Sequence, residues 1–249
     1  MLVRFISKGL NLLGRSVINS YYILKMKELK AKIEELAQIY SDKLKEQIEA
    51  RTEEMKDDDT AHYLIYRVLG ITIEEGQRID IYQNTGRFLY KYAGSFLEEV
   101  ATFCLNYKFS EGIKTKINNS RGQRPATFEI DFLNNKDAIE IKWRDATTDG
   151  DHITKEHTRI QTISDAGYKP IRVMFYYPQR KQAIRIQETL KTLYAGVGGE
   201  YYAGDEAWKY LKEYTSIDLK AILMEIANKR IPDVSNELTE AVSEITKKD

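Results

Sequence analysis

Cysteine, proline and long apolar runs are all scarce in this 249-residue sequence. The single cysteine, Cys104, cannot form an internal disulfide, so we expect a reducing, cytoplasmic location. No run reaches the ~18 apolar residues that a membrane-spanning helix needs, so we expect no membrane association. Neither sign of charge is in excess, because 38 basic residues balance 38 acidic ones. This balance argues against bulk coating of nucleic acid but allows a local basic cleft.

The remaining composition is that of a folded protein. Hydrophobic residues make up 42% of the chain and aromatic residues 11%, which excludes a wholly disordered chain. The length allows one large domain or two small ones. We expect a single domain over residues 1–249, with a helical N-terminal part (1–70), an α/β core (87–177) and a helical C-terminal part (178–249).

The N-terminal part contains a long amphipathic segment at residues 17–57. Its apolar residues recur at steps of three and four, which predicts a helix with one apolar stripe. The stripe either packs on its own domain or forms a dimerisation arm. Its first members are Tyr22, Met26, Leu29, Ile33, Leu36 and Tyr40.

The core has the order helix, strand, strand, strand, helix, strand. A strand–helix–strand step at its end implies a right-handed crossover, so we predict a mixed sheet covered by helices. We place these core elements at about 87–106, 107–117, 128–133, 138–143, 152–166 and 171–177. C-terminal helices are expected at about 180–194, 204–213, 216–229 and 234–246, with a glycine-containing loop, Gly196–Gly199, between the first two.

The segment from Asp131 to Lys142 carries the strongest chemical signal. If Leu133 and Ala138 flank a four-residue loop, Asp131 opposes Glu140 across a hairpin, and Lys142 lies on the same face. The opposite face would then be an apolar core face. It would contain Ile130, Phe132, Ile139, Ile141 and Trp143.

Two opposed carboxylates repel each other, by ~4 kcal/mol at ~4 Å and an effective dielectric constant of ~20. A divalent cation with oxygen ligands, Mg²⁺ above all, would relieve this repulsion. Lys142 at the same site would polarise an attacking water or stabilise charge on a phosphate, which suits phosphodiester hydrolysis. The alternative is a surface hairpin with Glu/Lys pairs on its wet face.

Basic and polar residues flank this hairpin. Residues 112–128 contain four basic side chains and no acidic one, and the segment after Lys142 is rich in polar groups. We expect them to contact phosphates or base edges of DNA. The expected DNA contacts are Lys114, Lys116, Arg121, Arg124, Arg144, Thr147, Thr148, Asp149, Lys155 and Arg159. A second basic stretch either forms a solvated face or, as we favour, contacts DNA. It contains Lys169, Arg172, Arg180, Lys181 and Arg185.

Asp131, followed after eight residues by Glu140-Ile141-Lys142, resembles the PD-(D/E)xK nucleases. The resemblance implies the restriction-endonuclease-like αβββαβ core and Mg²⁺-dependent cleavage of DNA. It implies that Asp131 and Glu140 are metal ligands and that Lys142 is the catalytic lysine. A further acid on the helix before the sheet is Glu98, chosen over its neighbour Glu99. Ile130 replaces the proline of the motif, which leaves Glu129 as a fallback for Asp131.

A longer stretch resembles the ApaLI-like restriction endonucleases. The resemblance rests on Glu140 to Arg159, on Gly196-Val-Gly-Gly-Glu-Tyr-Tyr202 and on Ala207-Trp208. It implies a homodimeric type II enzyme that makes double-strand cuts in palindromic duplex DNA. Two alternatives stay open from the residues: a repair or junction-resolving nuclease of the same fold, and a non-catalytic DNA-binding or helical interaction protein.

Overall fold

The computed structural model describes the backbone of residues 2–144 and 150–230, and the side chains of residues 23–144 and 153–230. A one-turn 3-10 helix spans Thr60–His62. The helices are α1 (Leu2–Met55), α2 (Tyr63–Val68), α3 (Ile73–Lys108), α4 (Gly150–Asp165), α5 (Lys181–Gly196), α6 (Asp205–Thr215) and α7 (Leu219–Arg230). The strands are β1 (Ile113–Asn118), β2 (Thr127–Asn134), β3 (Asp137–Lys142), β4 (Lys169–Met174) and β5 (Glu200–Ala203).

The strands form one mixed sheet in the order β1-β2-β3-β4-β5. The two pairings from β1 to β3 are antiparallel, and the two from β3 to β5 are parallel. The predicted α/β fold with its α3-β1-β2-β3-α4-β4 core is confirmed. Strand β5, which follows the predicted loop at Gly196–Gly199, was not predicted. A four-residue strand is too short to show a periodic pattern, and only its pairing with β4 defines it.

The long N-terminal helix packs on its own chain. Leu29, Ile33 and Leu36 are buried in the main hydrophobic core, together with residues of α3. Of the two interpretations of the apolar stripe, the structure confirms packing within the domain for these residues. Within the described ranges, no helix has a stretch long and apolar enough to cross a bilayer.

Helix α3 is longer than predicted, because the segment 73–83, which has no clear pattern, joins the predicted helix at 87–106. It begins with a capping box, in which Thr72 accepts from the main chain of Glu75 and the Glu75 side chain accepts in return from Thr72. The helix predicted at 234–246 lies outside the described residues.

The hairpin between β2 and β3 has the predicted register. Leu133 pairs with Ala138, and Asn134 pairs with Asp137. The loop therefore has two residues instead of the predicted four, and Asn135 turns the chain with a φ of 52°. Asparagine tolerates this left-handed conformation better than most residues do.

The predicted single apolar face of β2 is wrong. Phe132, like Ile139 on the next strand, packs in the main core, whereas Ile130 belongs to a second cluster with Ala138 and Ile163. The cause is a β-bulge: Ile113 pairs with Leu133 but Thr115 pairs with Ile130, so β2 contains an extra residue there. A bulge reverses the alternation of side chains along the strand. Asp131 lies at this irregularity.

Replacement of Gly112 by alanine tests the packing at the start of β1. A Cβ on Gly112 would lie 2.0 Å from Cζ of Phe132, whose side chain is fully buried. We expect Gly112→Ala to lower the free energy of unfolding by ~1–3 kcal/mol through overpacking. Urea denaturation followed by circular dichroism measures this.

The control is Gly86→Ala, in α3, where a Cβ meets no atom within 4 Å. This change should raise the free energy of unfolding by ~0.5–1 kcal/mol, as alanine does in a helix. Equal stability of the two variants would contradict the packing around Phe132.

Candidate active site

Three carboxylates from two elements converge at one edge of the sheet. Glu98 on α3 and Glu129 and Asp131 on β2 each place an oxygen within 4.8 Å of the others. Asp131 is buried, Glu98 is half-buried and Glu129 is exposed. The cluster therefore has one fixed interior member and opens to solvent on the other side. Carboxylate oxygens are the ligands that Mg²⁺ prefers in proteins.

Asp131 is held by the neighbouring strand. Pairing between β2 and β3 extends from Asn134 and Asp137 to Phe132 and Ile139. One residue further along β2, Oδ2 of Asp131 accepts a hydrogen bond of 2.8 Å from the main-chain N–H of Ile141. The carboxylate thus provides the acceptor for this N–H. Its other oxygen, Oδ1, faces the cationic side chain of Lys114 at 4.0 Å.

The side chain of Lys114, on β1, lies among the three carboxylates. Its Nζ is 2.8 Å from Glu129 Oε1, 3.1 Å from Glu98 Oε1 and 4.0 Å from Asp131 Oδ1. The hydrogen bond to Glu129 raises the pKa of Lys114 above its usual value, and the same contact lowers the pKa of Glu129. In this structure an ammonium group neutralises part of the cluster's charge.

Glu140 has different partners. Its side chain is buried and projects toward α4, where Oε2 accepts from the guanidinium of Arg159. Lys142 Nζ lies 2.6 Å from Oε1 of the same carboxylate. Basic side chains therefore balance Glu140, and the three-carboxylate cluster does not include it. This balance relieves the Asp131–Glu140 repulsion that the sequence analysis anticipated.

Arg159 belongs to a buried ion-pair network that the sequence analysis missed. Besides Glu140 it contacts the main-chain oxygen of Glu129 at 2.5 Å and Glu156 Oε1 at 3.5 Å. Glu156 Oε2 lies 2.9 Å from Nη1 of Arg172, which is fully buried. The expectation that Arg172 lies at the surface is wrong. The sequence did contain a signal for this burial, because Arg172 is the one charged residue in the otherwise apolar segment Ile171–Phe175.

A cleft of about 470 Å³ adjoins the acidic cluster and shares Glu98 with it. Lys142, Arg144 and Arg180 give the cleft three cationic side chains. Aromatic rings hold Arg144, whose guanidinium carbon lies 4.6 Å from the ring centre of Tyr90, 5.1 Å from that of Tyr176 and 5.5 Å from that of Trp143. The remaining lining residues are Tyr90, Gly94, Ile141 and Trp143.

The model of the ApaLI-like restriction endonuclease family matches residues 24–228, which is more than half of the chain. The matched range contains the acidic cluster, the ion-pair network and the cleft. This chain belongs to the ApaLI-like restriction endonuclease family. It is therefore a restriction endonuclease, an enzyme that cleaves DNA, and its acidic cluster has the composition of a metal site. No curated protein matches the sequence.

The structure of this restriction endonuclease separates the two candidate acids on α3. Glu98 lies in the acidic cluster and in the cleft. Glu99 is exposed, and its Oε2 accepts a 2.7 Å hydrogen bond from the hydroxyl of Tyr40. The burial of Asp131 likewise distinguishes it from the fallback residue Glu129.

The residues expected to contact DNA fall into several environments. Arg144 is half-buried in the cleft, and Arg159 is buried in the ion-pair network. Arg121 is exposed and binds Asp165 through two hydrogen bonds of 2.6 and 2.9 Å. The other exposed cations of the set are Lys114, Lys116, Arg124 and Lys155. Thr147, Thr148 and Asp149 lie outside the described residues.

Removal of the Arg159 charge tests the buried network. Arg159→Met leaves Glu140 and Glu156 without one cationic partner each in the interior, so we expect a loss of ~3–5 kcal/mol in the free energy of unfolding. Chemical denaturation followed by circular dichroism gives the value.

The matched control is Arg121→Met, which removes the same charge from an exposed ion pair. We expect no measurable change in stability there, as for most surface pairs. If the two variants were equally stable, the network around Glu140 would not support the fold.

Proposed function

We propose that this restriction endonuclease is a type II enzyme that makes Mg²⁺-dependent double-strand cuts at a short palindromic site in duplex DNA. The proposal rests on one observation: a three-carboxylate cluster and a cleft with three cationic side chains are adjacent and share Glu98. Phosphodiester hydrolysis requires both a cation site and groups that bind the phosphate backbone.

The residues fit a magnesium ion. We propose that Asp131 and Glu140 are its ligands and that Glu98 assists. Glu129 offers a further oxygen from the cluster that contains Asp131 and Glu98, whereas Glu140 lies outside that cluster on the adjoining strand β3. These donors are all carboxylates, the chemistry that a small hard cation selects. When bound, Mg²⁺ supplies Lewis-acid activation of water and neutralisation of the phosphate charge.

Lys142 is the proposed catalytic lysine. Its ammonium group is hydrogen-bonded to Glu140 and lines the cleft, so it can donate to an oxygen of the scissile phosphate or orient the attacking water. Arg159 is a positioning residue, because its contact holds Glu140 from the buried side. Both roles depend on the E-I-K segment of β3, where Glu140 and Lys142 are two residues apart and share one side of the strand.

Further cationic side chains are proposed to bind the DNA backbone around the cleft. The aromatic rings that flank Arg144 fix its orientation, which lowers the entropy lost on binding a phosphate. Polar residues after β3 are proposed to reach phosphates or base edges. The proposed contacts are Lys114, Lys116, Arg121, Arg124, Arg144, Thr147, Thr148, Asp149 and Lys155. Arg159, which was also expected to contact DNA, is buried and therefore has the positioning role instead.

Isosteric removal of carboxylate charge tests the metal site. Asp131→Asn keeps an acceptor for the N–H of Ile141 but loses a proposed ligand. Glu98→Gln removes the charge of another carboxylate of the cluster, on α3. We expect each to lower the rate of plasmid cleavage by at least ~10²-fold while the circular dichroism spectrum is unchanged. The measurement compares Mg²⁺ with a chelator.

Glu99→Gln is the matched control, because it makes the same change one residue along α3, outside the cluster. It should cleave at the wild-type rate. Discrete fragments support a type II enzyme, whereas structure-specific cuts support a repair or junction-resolving nuclease. Cleavage by Asp131→Asn at the wild-type rate would refute the proposed site.

We also propose a homodimer, because a two-fold axis presents identical elements to both halves of a palindrome. The stripe residues Leu29, Ile33 and Leu36 of α1 are buried within the chain, but α2 and the residue that follows it expose four large apolar side chains. Exposed apolar side chains this close together along the chain are typical of an interface. These side chains are Leu64, Ile65, Val68 and Leu69, which are 60–75% exposed.

Analytical ultracentrifugation tests the dimer. We expect the mass of two chains for the wild type and the mass of one chain for Val68→Asp/Leu69→Asp, since charge on an apolar interface opposes its burial. Met224→Asp is the control, because this residue on α7 is also exposed but lies outside α2. Dissociation by Met224→Asp alone would place the interface on the C-terminal helices instead. A one-chain mass for the wild type, with and without cleavable DNA, would contradict the dimer.

A further inference from the structure

Lys114 has a place in the site that sequence patterns do not assign to it. We propose that Lys114 is an internal counter-cation that competes with the divalent cation for the acidic cluster, and that DNA removes this competition by offering a phosphate in exchange. Metal binding and DNA binding are then coupled through one side chain. This inference rests on the proposed metal site.

The geometry shows the competition. Nζ of Lys114 makes hydrogen bonds to Glu129 and Glu98 and lies 4.0 Å from Asp131, so it contacts each member of the cluster. A magnesium ion binds carboxylate oxygens at ~2.0–2.1 Å. An ammonium group and a divalent cation cannot share these oxygens closely, because like charges repel strongly at such distances. Binding of the metal therefore requires Lys114 to move.

Lys114 is able to move, whereas Arg159, the buried cation beside Glu140, is not. The Lys114 side chain is 49% exposed on the edge strand β1, and lysine has a flexible stem with a strongly hydrated head group. Arg159 is only 11% exposed and is bound on several sides by buried groups. Of these two cations, Lys114 is the one that can exchange its partners for solvent or a ligand.

A DNA phosphate is the alternative partner. Lys116 lies two residues along β1, so its side chain leaves the strand on the same side as that of Lys114. It is 64% exposed and lies 3.9 Å from Glu129. Together they present two ammonium groups to solvent beside the cluster, which suits a phosphate backbone. A phosphate that binds Lys114 draws it away from the carboxylates and frees their oxygens.

The consequence is positive coupling. DNA tightens cation binding, and by thermodynamic linkage the cation tightens DNA binding by the same factor. In the absence of DNA the cluster holds the cation weakly, because the ammonium group must first be displaced. This coupling would keep the free enzyme largely without a bound cation until DNA is present.

The test measures Ca²⁺ binding to the full-length protein without DNA by isothermal titration calorimetry. Ca²⁺ takes the same oxygen ligands, and we expect it to support cleavage poorly. Lys114→Gln should lower the Ca²⁺ dissociation constant by about tenfold, which corresponds to about 1.4 kcal/mol. Lys116→Gln, which removes the same charge from the same strand, should change it by less than about threefold.

A second measurement reads the coupling from DNA affinity. Fluorescence anisotropy gives the dissociation constant of a labelled duplex with chelator and with Ca²⁺, and the ratio of the two is the coupling factor. Because Lys114 is proposed to bind a phosphate, its replacement should weaken DNA binding in both conditions. The effect should be larger with Ca²⁺, where the carboxylates no longer hold the ammonium group, and the ratio measures this difference. The factor should be well above one in the wild type and in Lys116→Gln, and should fall by about tenfold in Lys114→Gln. Lys114→Met provides a second neutral variant, and unfolding curves establish that each variant is folded.

The outcomes separate this inference from the proposed metal site. An unchanged Ca²⁺ dissociation constant in folded Lys114→Gln and Lys114→Met, with binding that Asp131→Asn abolishes, overturns the role of Lys114 and leaves the metal site standing. An equal gain in Lys116→Gln also overturns it, since general charge then explains the effect. Absence of Ca²⁺ binding in every variant, with and without DNA, refutes the metal site and the inference together.

Discussion

The ion pair between Glu140 and Arg159 is the interaction on which the rest of this structure depends. Both side chains are buried, and a buried carboxylate without a partner would be very costly. Arg159 also binds Glu156, which binds Arg172 in turn, so charges of opposite sign alternate between α4 and the sheet. The helix is thereby fixed against the strand that carries Glu140 and Lys142.

In this arrangement, one short segment of β3 contributes both to the hydrophobic core and to the candidate active site. On β3, Glu140 faces α4 while Ile139 and Ile141 face the main core. Asp131 binds the main chain of Ile141 from the neighbouring strand, at the point where β2 is irregular. The two acids are therefore held by opposite means: Glu140 by buried cations, and Asp131 by a backbone N–H. Each set of contacts fixes the position of one carboxylate.

The exposed side of the site is less constrained. Glu98, Glu129 and Lys114 are half-buried or exposed, and their contacts are hydrogen bonds between flexible side chains. Buried acids in fixed positions, next to exposed charged side chains that can rearrange, suit an enzyme whose substrate is itself charged. The aromatic rings around Arg144 extend the rigid part of the site to the cleft.

The sequence alone determined the order of the core elements, because the alternation of apolar residues in β2, β3 and β4 and the periodicity of the helices depend on local spacing. It also determined the pairing of Leu133 with Ala138, since a short turn between alternating strands leaves few registers. The acidic motif and the family resemblance were visible there too.

Tertiary structure alone decided the side-chain orientation along β2 and the pairing of the charges. The bulge opposite β1 places Ile130 in a second cluster, and a bulge has no signature in the spacing of β2. The fully buried Arg172 and the position of Lys114 between residues of α3 and β2 depend on contacts between segments distant in sequence. A lone cation in a sequence looks like a surface residue until the fold supplies its partner, because its burial is favourable only when an opposite charge lies beside it.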